Sequence, residues 1–494
     1  MVPARIVRLL REDRPLAEGR KPGRARKSAA LAAREAELRR KHWRARVNSM
    51  LSRLLSGRQY LLKEMFWRSR GLAGRALSSL RARGSRSGKA GDAREYVVEL
   101  PSGFGARRAV VRLSVPKLPE GRIHSFSEHA RDDSGDRIVA CALGGFAVSD
   151  DLGESWRTVR PRGCAHLPFT HSRLLGNGEI LLQAVDPDDP GVAPRQNCRL
   201  VVADLAGNVL HSAKMRGAMW HGPRAVDVRA GTLMYAEYTP NGVRNTKESP
   251  PHWPSRVWRS RDFGRSWQMV REEPNVRHFH FLQAHPDRNG EWWLSAGDSG
   301  SESRIWKSAD DGDSWIDQTA KFGNAVTIGK TAFSRRMFRL TDLVWEGDDL
   351  IWGCDDVLKK PTDSNAKAAR EKFGARVFRG NPASGVAPQI LGYCGPEVRN
   401  IVQVGDFHVF ITQSSHHYPN NDRPRVFLLS KGGPGGKAAF HHLFDVERHG
   451  PGRTGFTYSR ASRRATNGTF FTFRTPTDVS LGQNRILKWQ MEFD

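Results

Sequence analysis

The stretch "SADDGDSW", residues 308–315, has the composition of a surface turn but closes on a tryptophan. The same spacing of Ser, Asp, Gly and Trp stands at "SDDLGESW" (Ser149, Asp151, Gly153, Trp156) and at "SRDFGRSW" (Ser260, Asp262, Gly264, Trp267), with Ser308, Asp310, Gly312 and Trp315 making the third copy. Each residue type answers a need of a tight hairpin. Ser and Asp oxygens bond the turn backbone, Gly takes a positive φ without a Cβ penalty, and Trp packs the returning strand on its neighbour. Three copies imply a repeated unit.

A fainter repeat runs beside the turns. Seven segments place a glycine before an apolar strand, at Gly135, Gly178, Gly231, Gly290, Gly347, Gly405 and Gly468, a spacing that suits propeller blades with loops. Each unit then offers a third strand: "FAVS", "RLVVAD", "RVWRS", "RIWKS", "RVFRG", "RVFLLS" and "RILKW". Three octapeptides follow three of these strands, and "ADLAGN", "GNPASG" and "SKGGPGG" take the same place in degenerate form. The expected fold is an all-β propeller of four-stranded blades over about residues 95–494, seven blades favoured and six the alternative. The glycine turn joins strands A and B, and the octapeptide joins C and D. Few residues follow the last third strand, so "REYVVEL" or "ARRAVVRLSV" near the start is expected to supply the outer strand of the final blade and leave no open edge.

Composition agrees with a folded body carrying a different leader. The chain has 494 residues, 38% of them hydrophobic, and 14 tryptophans. No run of 18 apolar residues and no apolar signal region occurs, which predicts a non-spanning, cytoplasmic protein. The five cysteines are scattered, never in a CxxC pair, and read as reduced core residues. The net charge is +27, but residues 1–94 hold about 26 Lys/Arg against seven Asp/Glu. Within that extension Val47, Met50, Leu51, Leu54, Leu55, Leu61, Leu62, Met65 and Phe66 fall near helical spacing. A basic amphipathic helix of this kind can sit on an anionic membrane surface or an acidic partner, giving peripheral attachment. A solvated tail, or a leader from a start codon placed too far upstream, explains the same residues. Nucleic-acid binding is the least favoured reading and would show as steep salt dependence.

The octapeptides resemble Asp boxes, the signature of bacterial neuraminidase repeats in sialidase-like β-propellers. Residues 230–360 are also similar to a broad group of bacterial Asp-box proteins. The resemblance implies a propeller and, where such proteins are catalytic, a glycoside hydrolase that uses three arginines on a carboxylate, a tyrosine nucleophile with its glutamate, and an aspartate as acid/base. Arg277, Arg339 and Arg399 are the candidates for the first role, Tyr458 or Tyr238 with Glu237 for the second, and Asp298 or Asp355 for the third. The chain departs from that pattern at "GRIHSF", where Arg122 and Ile123 precede His124 rather than proline.

Blade geometry selects an overlapping set without the resemblance. Starts of A strands and ends of B strands meet at the face opposite the octapeptides. The former carry His124, His221, His278, His280, Arg339, Asp342, Arg399 and Tyr458; the latter carry Glu237, Tyr238, Asp298, Asp355, Asp356, Gln413, His416 and Arg474. "HFHFLQAH" (His278, His280, His285) invites a metal reading, but three histidines without a fourth ligand are more often channel residues, so no metal and no other cofactor is expected. The expected function is binding or hydrolysis of a carbohydrate at this mouth. The alternative is a non-catalytic scaffold that docks a protein partner on the propeller and a membrane through the basic extension. Oligomeric state is left open.

Overall fold

The computed structural model describes residues 94–494 apart from 115, 117–122, 128–136, 143, 168, 187, 189–196, 218–222, 239–253, 275, 298–301, 323–326, 329–330, 333–335, 355–374, 414–423, 432–437, 447–454, 461–464, 466 and 476–484. The chain divides into two units, residues 1–87 and 88–494, and everything described belongs to the second. The expectations for the basic extension, for the turn at Gly135 and for the glycine run at 432–436 therefore lie outside the described residues.

Seven antiparallel sheets follow one another along the chain as the blades of a β-propeller. Blade 4 shows the pattern, with strands A to D at Phe279–Ala284, Trp292–Ala296, Arg304–Ser308 and Ile316–Asp317. The A strands of blades 1, 2, 3, 5, 6 and 7 are Ile123–Ser127, Phe169–Leu174, Val226–Arg229, Leu340–Glu346, Val398–Val404 and Gly455–Arg460. Neighbouring A strands touch around the whole ring, with the short 3-10 turn Pro223–Ala225 mediating between blades 2 and 3. The A strands are therefore innermost.

Six blades have four strands, as the repeat predicts, and blade 7 has five. Both N-terminal segments are used: Arg108–Ser114 pairs with Arg485–Phe493, and Arg94–Glu99 pairs with Arg108–Ser114. Alternation explains the choice. Val111 and Leu113 point into the apolar layer between blades 6 and 7 beside Trp489 and Met491, while Arg112 faces outward and bonds Glu95 at 2.8 Å and Glu492 at 2.6 Å. Apolar layers of this kind, each shared by two adjoining blades, form the core. Strands buried on both faces by neighbouring blades account for the largely apolar runs "ILLQAV" and "FHVFIT".

The octapeptides join C to D strands as expected, and their three hydrogen-bond patterns match. In the third, Ser308 Oγ donates to Asp310 Oδ1 at 2.7 Å and accepts from Gly312 N at 2.8 Å. Asp310 also accepts from Ser314 N and Ser314 Oγ, and Trp315 Nε1 donates to Gly312 O at 3.1 Å. The glycine is one of two consecutive left-handed residues, since Asp311 has φ 56° and Gly312 φ 84°. Gly312 also abuts the blade before it: a Cβ there would lie 2.7 Å from Met234 Cε. Arg259 of blade 3 reaches the same turn, donating to Asp311 O at 2.7 Å and Asp313 Oδ1 at 2.6 Å. The turn is thus a joint between blades as well as a staple within one.

Candidate functional site

One irregularity recurs at the opposite rim. In blades 1, 2, 4, 5 and 6 the A–B register slips by one at the second residue of the A strand, at His124, Thr170, His280, Thr341 and Arg399. A β-bulge re-aims a side chain and increases local twist, and such bulges are concentrated beside functional sites. Three of the sequence-selected residues, His124, His280 and Arg399, occupy this equivalent position.

Around His280 the described side chains converge. His280 Nε2 lies 2.9 Å from His278 Nε2, and the two rings stack with centroids 4.9 Å apart. Tyr238 also stacks on His278, at 4.1 Å. Both histidines are buried. Burial, followed by the positive charges of Arg339, Arg224, Arg399 and Arg277, pushes the His280 imidazole well below the ordinary histidine range. These four arginines come from four successive blades: Arg224 from the turn before the blade 3 A strand, Arg277 and Arg339 just ahead of the A strands of blades 4 and 5, and Arg399 from the blade 6 bulge. Arg399 also donates to Glu397 at 2.6 Å. Farther around the ring, burial lowers His171 of the blade 2 A strand to about 4.

Other selected residues are engaged elsewhere. Asp342 accepts from Leu343 N at 3.0 Å and from Ile401 N at 2.7 Å, so its carboxylate straps blade 5 to blade 6. Asp227 does the same between blades 3 and 4, accepting from Ala284 N at 3.0 Å. Glu237 is fully buried and accepts from Trp258 Nε1 at 3.0 Å, close under Gly217, where a Cβ would meet Glu237 Oε1 at 2.0 Å. His285 lies toward the turn rim, where its Nδ1 accepts from Asp287 N at 3.1 Å and its ring sits beside Trp345. Among the described residues no group of three His, Cys, Asp or Glu side chains is placed to hold a metal ion. Tyr458 lies on the blade 7 A strand. His221, Asp298, Asp355, Asp356 and His416 lie outside the described residues.

Arg224 and Glu397 are absent from the sequence-selected set. Arg224 precedes its strand in a three-residue helical turn, too short to show a period. Glu397 lies two residues before Arg399, and only its ion pair draws attention to it. Cys164, Cys198, Cys354 and Cys394 are free thiols, and burial pushes Cys198 up to about 12. Among the described residues no helix is long and apolar enough to cross a membrane.

No family model matches the chain, and a search of curated proteins finds no match. Solved structures resembling it include YCF48 from Cyanidioschyzon merolae, at 9% identity and TM-score 0.43, covering 76% of this chain and 98% of that one. Another is Sqt1 of Saccharomyces cerevisiae, at 7% identity and TM-score 0.40, covering 75% and 87%. A third is a mutant Trypanosoma rangeli sialidase displaying trans-sialidase activity, at 11% identity and TM-score 0.34; the match covers 80% of this chain and 58% of the sialidase. The chain is a seven-bladed β-propeller.

Proposed function

We propose that this propeller is a sialidase-like, glycan-directed protein that holds an acidic carbohydrate at the channel mouth around His280. One observation carries the reading: Arg224, Arg277, Arg339 and Arg399 from four successive blades all act on one buried histidine. Guanidinium forks bond carboxylate, sulfate or phosphate groups in pairs and cannot lose their charge near neutral pH. The half-buried Tyr238 ring, stacked on His278, adds an aromatic face of the kind that covers a sugar ring. Recognition is favoured over cleavage, because the Glu237 carboxylate already holds the Trp258 indole. Asp298 and Asp355 are proposed to bond ligand hydroxyls.

The test is an array of neutral, carboxylated and sulfated glycans probed with the full chain and with Arg339→Ala. Acidic glycans should be retained and the variant should bind them about tenfold or more weakly, the scale of one charged hydrogen bond. Silence from a folded protein, or binding indifferent to Arg339, would overturn the proposal. Chromogenic glycosides in parallel, with Glu237→Gln as partner, would show whether holding leads to cleavage. The basic extension, residues 1–94, is proposed to be separate from this activity, so its removal should leave retention of acidic glycans unchanged.

A further inference from the structure

Two histidines in direct contact inside a ring of arginines raise a question of proton placement, and donor counting answers it. An arginine Nε always carries hydrogen and can only donate. Arg277 Nε lies 3.2 Å from His278 Nδ1, so that nitrogen accepts and the proton of neutral His278 sits on Nε2. His278 Nε2 then donates across the 2.9 Å contact to His280 Nε2, which leaves the His280 proton on Nδ1. Direction is fixed at every step.

We propose that Arg277 and His278 are positioning residues that lock His280 as a neutral imidazole of one tautomer, so that guanidiniums alone supply positive charge among the described groups of this mouth. A further proton has no place on the pair. At His278 Nδ1 it would face the Arg277 N–H, and on the inner contact it would put two hydrogens into one bond. The charged neighbours act in the same direction. Arg339, Arg224, Arg399 and Arg277 all disfavour a cation at His280, Arg399 is itself paired with Glu397, and the Tyr238 ring stacks on His278.

One consequence rests on the proposed function: retention of an acidic ligand should not change between about pH 5.5 and 8, the range in which a histidine-based anion site would gain or lose charge. The lock itself is a property of the unliganded protein and is tested without a ligand. The full chain is labelled with ¹⁵N-histidine, and His278→Gln and His280→Gln identify the two sets of ring signals. The expected pattern is a proton on His278 Nε2 and on His280 Nδ1, unchanged between about pH 5.5 and 8. The opposite tautomers, or a doubly protonated ring at pH 7, would overturn the inference from the wild-type spectrum alone.

Two variants then separate direction from charge. Arg277→Ala should release the His278 tautomer and let the pair titrate, whereas Arg339→Ala removes a like charge but keeps the Arg277–His278 contact and should leave both tautomers in place. Equal effects of the two would reduce the arrangement to electrostatics and remove the positioning role. A protein that binds no glycan but shows the expected spectra loses the proposed function and keeps the lock.

Discussion

At the turn rim, eight residues close upon themselves: every side-chain oxygen of Ser308 and Asp310 has a partner within the same octapeptide, and the same network appears at Ser149 and Ser260. At the mouth rim, the backbone departs from regular pairing at equivalent positions and four like charges act on one histidine. The first arrangement satisfies its own turn and recurs in three blades, and in blade 4 it also meets Arg259 and Met234 of the blade before it. The second brings together residues that no local rule would place side by side, and it is where we propose that an acidic ligand is held. The octapeptide turns hold the ring, and the bulged rim is where we propose that it is used.

The sharpest way to break that comparison is at the turn rim. Gly312→Ala forces a Cβ into a left-handed position and toward Met234, and should lower stability by about 2 to 3 kcal/mol; a chemical-denaturation midpoint that does not move would show the joint to be dispensable. Next in size is Arg339→Ala, which should leave the denaturation midpoint within about 1 kcal/mol while weakening an acidic glycan about tenfold. A large stability loss there would make the mouth structural too.

A smaller effect is expected on acidification. Burial works against the Asp262 carboxylate, but bonds from Ser266, Ser260 and Arg265 outweigh it and lower the group to about 2. A folded-state value below the unfolded one adds stability that is fully present above about pH 4 and disappears as pH falls toward 2. Asp262→Asn should therefore flatten the stability profile between about pH 4 and 2, and an unchanged acid limb would place the acid sensitivity elsewhere. Smallest of all, Val97→Thr on the outermost strand, 54% exposed and on neither rim, should change stability by less than about 0.5 kcal/mol.

The fold was legible because propellers announce themselves through turn chemistry. Gly178, Gly231, Gly290, Gly347, Gly405 and Gly468 all fall between A and B strands with positive φ, and every proposed third strand is a C strand. The site was legible in outline only. Residue type and blade position were enough to select His278, His280, Arg339 and Arg399. Period-2 alternation, however, gives no sign of a bulge, because the slip at His280 is decided by pairing with Trp292–Ala296 rather than by its own strand. The partners of Asp342 and Glu237 were hidden for a related reason. Ile401 lies 59 residues from Asp342 and Trp258 lies 21 from Glu237, and a carboxylate that bonds a backbone amide looks in sequence like one that bonds a ligand.

The closure of blade 7 carries a consequence measured in time. Arg108 and Asp494, bonded across the seam, are 386 residues apart. At a synthesis rate of about 5 to 20 residues per second, residues 108–114 wait roughly 20 to 80 s for the strand that completes their sheet. During that wait they already have one partner available, because Arg94–Glu99 pairs with them in a local hairpin. The fifth strand, superfluous to a four-stranded blade, halves the exposed edge of the segment that must wait longest on the ribosome.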